Sequence, residues 1–150
     1  MADLHELARI HRLVTKRLRT LKLSAAGRAQ LTDHQLRQHT AALAWLGTTA
    51  ADRQVAECAL GALWAEPRLR EDLRDAIHPV LAAGFTHGDG TAMEVKDTER
   101  LLWRFWHTGR KLGYLEPERS IDALISLSTT GRSAALAALR LLAEGPRDHI

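Results

Sequence analysis

Apolar positions in this chain recur at steps of three and four residues, and no stretch alternates apolar and polar residues over the length of a strand. Residues three and four apart share a helix face, whereas strands need a period of two. The pattern therefore predicts an all-α fold, a single-domain bundle of six or seven helices over 1–150 with no sheet. The first seam runs through Leu4, Leu7, His11, Val14, Leu18 and Leu21, at steps of 3, 4, 3, 4 and 3. It predicts a basic amphipathic helix over 1–23, with Arg9, Arg12, Lys16 and Arg19 together on the side away from the seam. Two and a half heptads fall short of a coiled coil, so the seam is expected to pack on the chain's own core.

Local end signals divide the rest. Ser24 to Arg28 reads as a turn, and Thr32 with Gln35 has capping-box spacing for a helix through Leu36, Leu43 and Leu46 that stops at Gly47. Thr48 and Thr49 open the next. Its Val55, Ala56, Cys58, Ala59, Leu60, Ala62 and Leu63 cover most of the circumference, the mark of a central helix, and make Cys58 core filler. Pro67 suits the first position of a helix whose Leu69, Leu73, Ala76, Ile77 and Val80 share a face, with Pro79 expected to kink or divide it. Pro117 and Glu118 are expected to begin a helix through Ile121, Leu124 and Ile125. Ser128 or Thr130 then caps a last one carrying Leu136, Leu139 and Leu142, and 146–150 reads as a loose tail.

Thr91 to Tyr114 is the stretch whose outer face core packing does not account for. At about 100° per residue, Val95, Thr98, Leu101, Leu102, Phe105, Gly109 and Leu112 make an apolar side. Lys96, Arg100, Trp103, Arg104, His107, Arg110, Lys111 and Tyr114 make the other. One helix thus offers a wall for the core and a cationic stripe carrying aromatic rings.

Composition alters this picture little: 45% hydrophobic and 26% charged residues in 150 are ordinary for a folded domain. With one cysteine, an internal disulfide is impossible. No secretory leader and no run of about 18 apolar residues is present, so the expectation is a cytoplasmic protein away from membranes. Charge changes more. Residues 1–28 hold seven Lys and Arg against Asp3 and Glu6, whereas the rest hold fourteen against sixteen acids, so the net +3 resides in the N-terminal part. Such asymmetry suits nucleic acid, an anionic surface or an acidic partner.

Candidate chemistry is sparse. His34 and His39 are on different sides of a helix, and there is no HExxH or Cys/His cluster. His87 and Asp89, with Glu94, could supply metal ligands from the glycine-dense loop 84–91, but Gly and Asp are expected in a plain polar turn. The loop precedes a helix N-terminus, which attracts anions, yet a phosphate-binding loop needs a preceding strand and a Gly-Lys-Ser/Thr ending. No nucleophile with its base is legible, and no metal or cofactor is implied. The turn at Gly47 to Thr49 could join a helix-turn-helix, but the helix after it is too apolar to read bases.

Two readings remain. The first is a non-catalytic accessory protein that binds nucleic acid through Arg9, Arg12, Lys16, Arg19, Arg100, Trp103, Arg104, His107 and Arg110, phosphates meeting cations and bases stacking on rings. The second is a helical interaction subunit, an adaptor or small inhibitor, docking or self-associating through the N-terminal seam or the tryptophan stripe. Against both stands a plain solvated face with Trp103 tucked beneath a neighbour.

Overall fold

In the computed structural model, residues 8–9, 12–17, 20–116 and 124–144 are described. They build a mostly helical domain of six packed helices, with one small hairpin as the exception to the all-α expectation. The hairpin replaces part of the expected N-terminal helix: β1 (Val14–Arg17) pairs antiparallel with β2 (Thr20–Leu23), Val14 opposite Leu23 and Arg17 opposite Thr20. Val14, Thr15 and Thr20 are β-branched and favour extended backbone. Just before them Arg12 takes φ 55°, the left-handed region that ends a helix. Leu21-Lys22-Leu23 alternates as a strand should, a signal that the longer three-and-four spacing masked. Leu4, Leu7, His11, Leu18 and Arg19 lie outside the described residues.

The expected turn at Ser24 instead starts helix α1 (Ala25–Thr32), because the Ser24 hydroxyl accepts from the Gly27 N–H at 2.9 Å. Helix α2 (His34–Leu46) follows after one residue. Its cap is Asp33, whose carboxylate accepts from Leu36 N–H at 2.9 Å, in place of the expected Thr32 and Gln35 pair. Arg37 turns back to donate to the Gln30 and Leu31 carbonyls, which α1 leaves without helical partners at its end.

Helix α3 (Ala50–Ala65) is central as expected. Thr49 and Asp52 form a reciprocal capping box, and Val55, Ala56, Ala59, Leu60 and Leu63 are buried. Helix α4 (Arg70–Gly84) starts after Pro67 rather than on it, with Leu69 as cap, and runs unbroken through Pro79. The helix is not divided there: Pro79 and Asp75, whose carbonyl lost its donor, are both exposed, so water can serve that carbonyl. The buried line is Leu73, Ile77 and Leu81, and Val80 faces out.

Helix α5 (Val95–Lys111) begins at a Glu94 cap, later than the Thr91 start expected, and α6 (Thr129–Glu144) is capped by Ser128, whose hydroxyl accepts from Gly131 N–H at 2.9 Å. The helix expected through Leu124 and Ile125 is absent there: Ile125 bridges Arg68 and Leu127 bridges Leu115, both antiparallel. Residues 117–123 and the tail 145–150 lie outside the described residues. On α6 the buried positions are Gly131, Ala135 and Ala138, and Leu136 is exposed.

Trp45 on α2 is the centre of the core, 1% exposed. Its indole stacks on Phe105 with centroids 5.2 Å apart and planes 9° from parallel, meets Tyr114 at 5.0 Å, and donates Nε1–H to the Phe105 carbonyl at 3.1 Å. This approach requires Gly109, where a Cβ would meet Trp45 Nε1 at 2.6 Å. Tyr114, expected on the outer stripe, is therefore a core residue, its hydroxyl pKa pushed up by burial. Helix α5 packs on α2, α3 and α4, whereas the hairpin rests on α1 and α1 on α2. Among the described residues no helix is long and apolar enough to cross a membrane.

A cationic and aromatic cleft as the candidate site

Thr98, Leu101, Leu102, Phe105 and Gly109 are buried as the periodicity predicts, whereas Val95 is exposed, and the rest of α5 divides into two flanks that a single stripe does not describe. One flank faces α4 and carries Glu99, Trp103, Trp106 and Arg110. The other carries Arg100 and Arg104.

On the second flank both guanidinium groups are committed to buried acids. Arg104 Nη2 lies 3.0 Å from Asp52 Oδ1, and Arg100 Nη2 lies 3.0 Å from Asp97 Oδ1. Asp52 already accepts from the Thr49 backbone and hydroxyl. Asp97 accepts from Glu94 N–H at 3.0 Å and meets His87 Nε2 at 2.9 Å. The Glu94 N–H above all, then His87 and Arg100, hold the Asp97 carboxyl below its ordinary range. The Arg104–Asp52 pair fastens α5 to the start of α3 and the His87–Asp97 contact fastens it to the preceding loop, whereas Arg100–Asp97 lies within α5; each acid offsets part of its arginine's charge.

The first flank makes a cleft of about 620 Å³ between α5 and the beginning of α4. Trp106 forms part of its wall, with the Arg70 guanidinium 4.2 Å and the Arg110 guanidinium 5.1 Å from its ring centroid, distances at which a cation is attracted to the ring face. Trp103 stands at the lip, 43% exposed, and stacks nearly flat on His107, centroids 4.6 Å and planes 12° apart. Burial, then the neighbouring Lys111 and Arg110, pushes the His107 pKa down, so this imidazole is neutral at pH 7 and stacks as an uncharged ring. Arg74 also lines the cleft but is bound to Asp75 at 2.7 Å and Glu99 at 3.1 Å, which hold its guanidinium above its ordinary value. Among the described residues two ring nitrogens, Trp106 Nε1 and His107 Nε2, are buried without a hydrogen-bond partner.

Of the residues the sequence pointed to, Trp103, His107 and Arg110 come together here, and Arg100 and Arg104 do not. Arg9 and Arg12 are exposed at the chain end that leads into the hairpin. Lys16 stands on β1 opposite Leu21, so it does not continue a helical stripe with them; its side chain, and all of Arg19, lie outside the described residues. Trp106, Arg70 and Glu71 escaped sequence reasoning. A local signal did exist, since Arg110 follows Trp106 by four residues and Arg74 follows Arg70 by four, spacings that share a helix face.

The glycine-dense loop is a closed turn. Thr86 bridges Ala92, His87 N–H donates to Thr91 O at 2.8 Å, and the Asp89 carboxylate accepts from the Thr91 N–H and hydroxyl. The three residues weighed as metal ligands thus have separate partners: His87 meets Asp97, Asp89 meets Thr91 and Glu94 meets Lys96. Among the described residues no group of three His, Cys, Asp or Glu could hold a metal ion. Cys58 accepts from the Gln54 amide at 3.5 Å on the flank of the core. Comparisons with protein-family models, with curated proteins and with solved structures return no match to this chain.

Proposed function

We propose that this chain is a non-catalytic nucleic-acid-binding protein whose ligand is single-stranded, an unstacked base entering the cleft between α4 and α5. The observation that carries this reading is the pair Trp103 and Trp106: one ring half-exposed at the lip, the other in the wall with two guanidinium groups close to its ring. A base offers two faces to such rings and its phosphates meet the arginines, the combination that gives sequence-tolerant binding of single strands. A duplex keeps its bases stacked and inaccessible to this cleft.

Tryptophan fluorescence titrated with an oligothymidine tests it. Trp103→Ala weakens the single strand by about 1–3 kcal/mol and leaves a duplex unaffected. Two phosphates held by Arg70 and Arg110 give a slope of log affinity against log salt of about −1.4. The absence of binding at low ionic strength sinks the reading.

A second reading, a helical protein-interaction subunit, has its own observation. Trp64 on α3 is 42% exposed with Arg132 of α6 5.9 Å from its ring, and Leu136, one turn further along α6 from Arg132, is also exposed. Tryptophan and arginine dominate protein interfaces. Failure of the oligonucleotide titration leaves this reading the better one.

A further inference from the structure

Building on the single-strand reading, we infer that the cleft selects guanine, with Glu71 as the residue that reads it. The cleft is not uniformly cationic: two carboxylates, Glu71 and Glu99, line it with the tryptophans. Glu99 is occupied by Arg74 at 3.1 Å. Glu71 is exposed in the first turn of α4, and among the described residues no hydrogen bond or ion pair engages it.

An ionised carboxylate only accepts hydrogen bonds. At the rim of a site for polyanions it repels phosphate, so its place in the cleft is best matched by a donor edge of a base. The Watson–Crick edges, open in a single strand, differ sharply in this respect. Guanine presents two adjacent donors, N1–H and the N2 amine, which a carboxylate takes with both oxygens. Adenine and cytosine each set one amine beside a bare ring nitrogen whose lone pair faces the carboxylate. Thymine and uracil flank their single N–H with two carbonyls. Carboxylate and indole on one cleft thus correspond to one edge and the face of a single base.

The test uses the full chain and three labelled oligothymidines, one unmodified, one with a single central guanine and one with inosine there, which keeps N1–H and O6 but lacks the N2 amine. Guanine is expected to raise affinity over thymine by roughly fivefold to a hundredfold, with inosine between. In Glu71→Gln, an isosteric change at an exposed site, the ratio of guanine to thymine affinity falls towards one. Equal affinity for the guanine and thymine strands overturns the inference while leaving single-strand binding intact. So does a guanine preference that survives Glu71→Gln, or one lost only in Glu99→Gln. If none of the three strands binds at low salt, the single-strand reading fails and this inference with it.

Discussion

Arg104 Nη2 and Asp52 Oδ1 meet at 3.0 Å, an arginine half in solvent and a carboxylate 8% exposed at the first turn of α3. The pair separates two roles that the sequence runs together, because Arg104 and Arg110 look alike as surface cations of one helix. Arg104→Ala leaves a mostly buried carboxylate with only its capping bonds, at a cost of about 1–2 kcal/mol. Arg110 meets no acid among the described residues, so Arg110→Glu forfeits its contact with the Trp106 ring, about 0.5–1 kcal/mol, and costs less than the Arg104 change. Oligonucleotide affinity is expected to move the other way, falling for Arg110→Glu and holding for Arg104→Ala. Urea melts with fluorescence titrations of both variants check it. Equal loss of binding in the two would restore a single cationic stripe.

Gly109→Ala is a second discriminating change. In an exposed helix the substitution is worth up to about 1 kcal/mol in favour of alanine. Here the new Cβ would lie 2.6 Å from Trp45 Nε1 and 3.1 Å from Leu115 Cδ1, so the indole must shift off Phe105. Overpacking of this kind costs about 1–3 kcal/mol and exceeds the propensity gain. The expected result is a lower denaturation midpoint with a changed near-ultraviolet dichroism signal from Trp45. A midpoint raised above the wild type contradicts it.

Pro79→Ala should stabilise. Proline in a helix interior removes a hydrogen bond and costs about 3 kcal/mol, part of which solvent at the exposed Asp75 carbonyl already relieves. A gain of about 1–2 kcal/mol is expected by chemical denaturation, and a loss would mean that the ring makes contacts worth more than the bond.

What the sequence made legible was local. The start of α3 at Thr49 and the buried faces of α3 and α5 follow from residues within a few positions of one another. The hairpin did not, because the three-and-four spacing continues through Val14 and Leu21 and reads as helix, whereas Arg12 just before them takes a left-handed conformation that no pattern announces. The candidate site was half legible. Trp103, His107 and Arg110 share one helix, but the cleft exists only where α4 crosses them, and Arg70 and Glu71 join it through packing distant in sequence. The same is true of Asp52, which removes Arg104 from the set of available cations by a contact that periodicity cannot foresee.

Acid should unfasten α5 at its N-terminus. Asp97 has a carboxyl pKa below its ordinary 3.8, chiefly through the Glu94 N–H. A depressed folded pKa means that the unfolded chain takes up the proton first as pH falls. The stability that Asp97 contributes is therefore complete above about pH 5, declines below it, and is lost once pH passes the folded pKa. Asp97→Asn gives a protein less stable at neutral pH, with a shallower loss of stability between about pH 5 and 3. Parallel slopes for variant and wild type would assign the acid sensitivity elsewhere.

His107 gives the last prediction, at milder pH. Its pKa lies below the ordinary 6.5 because burial penalises the cation, with Lys111 and Arg110 adding repulsion. Above the ordinary value both folded and unfolded chains hold it neutral, and stability does not depend on it. Between that value and the depressed one the unfolded chain alone is protonated, so stability declines as pH falls and levels off once the folded imidazole also titrates. The flat stack on Trp103, 4.6 Å between centroids, makes the event observable, since the proton arrives on a ring in contact with the indole. Proton NMR should give a midpoint for the His107 ring below 6.5, with the Trp103 indole resonance moving at the same pH. His107→Phe should keep the stack and abolish that step in the stability profile. A His107 midpoint at or above 6.5 would mean that its ring is solvated, and that the aromatic lip of the cleft is looser than the stack with Trp103 implies.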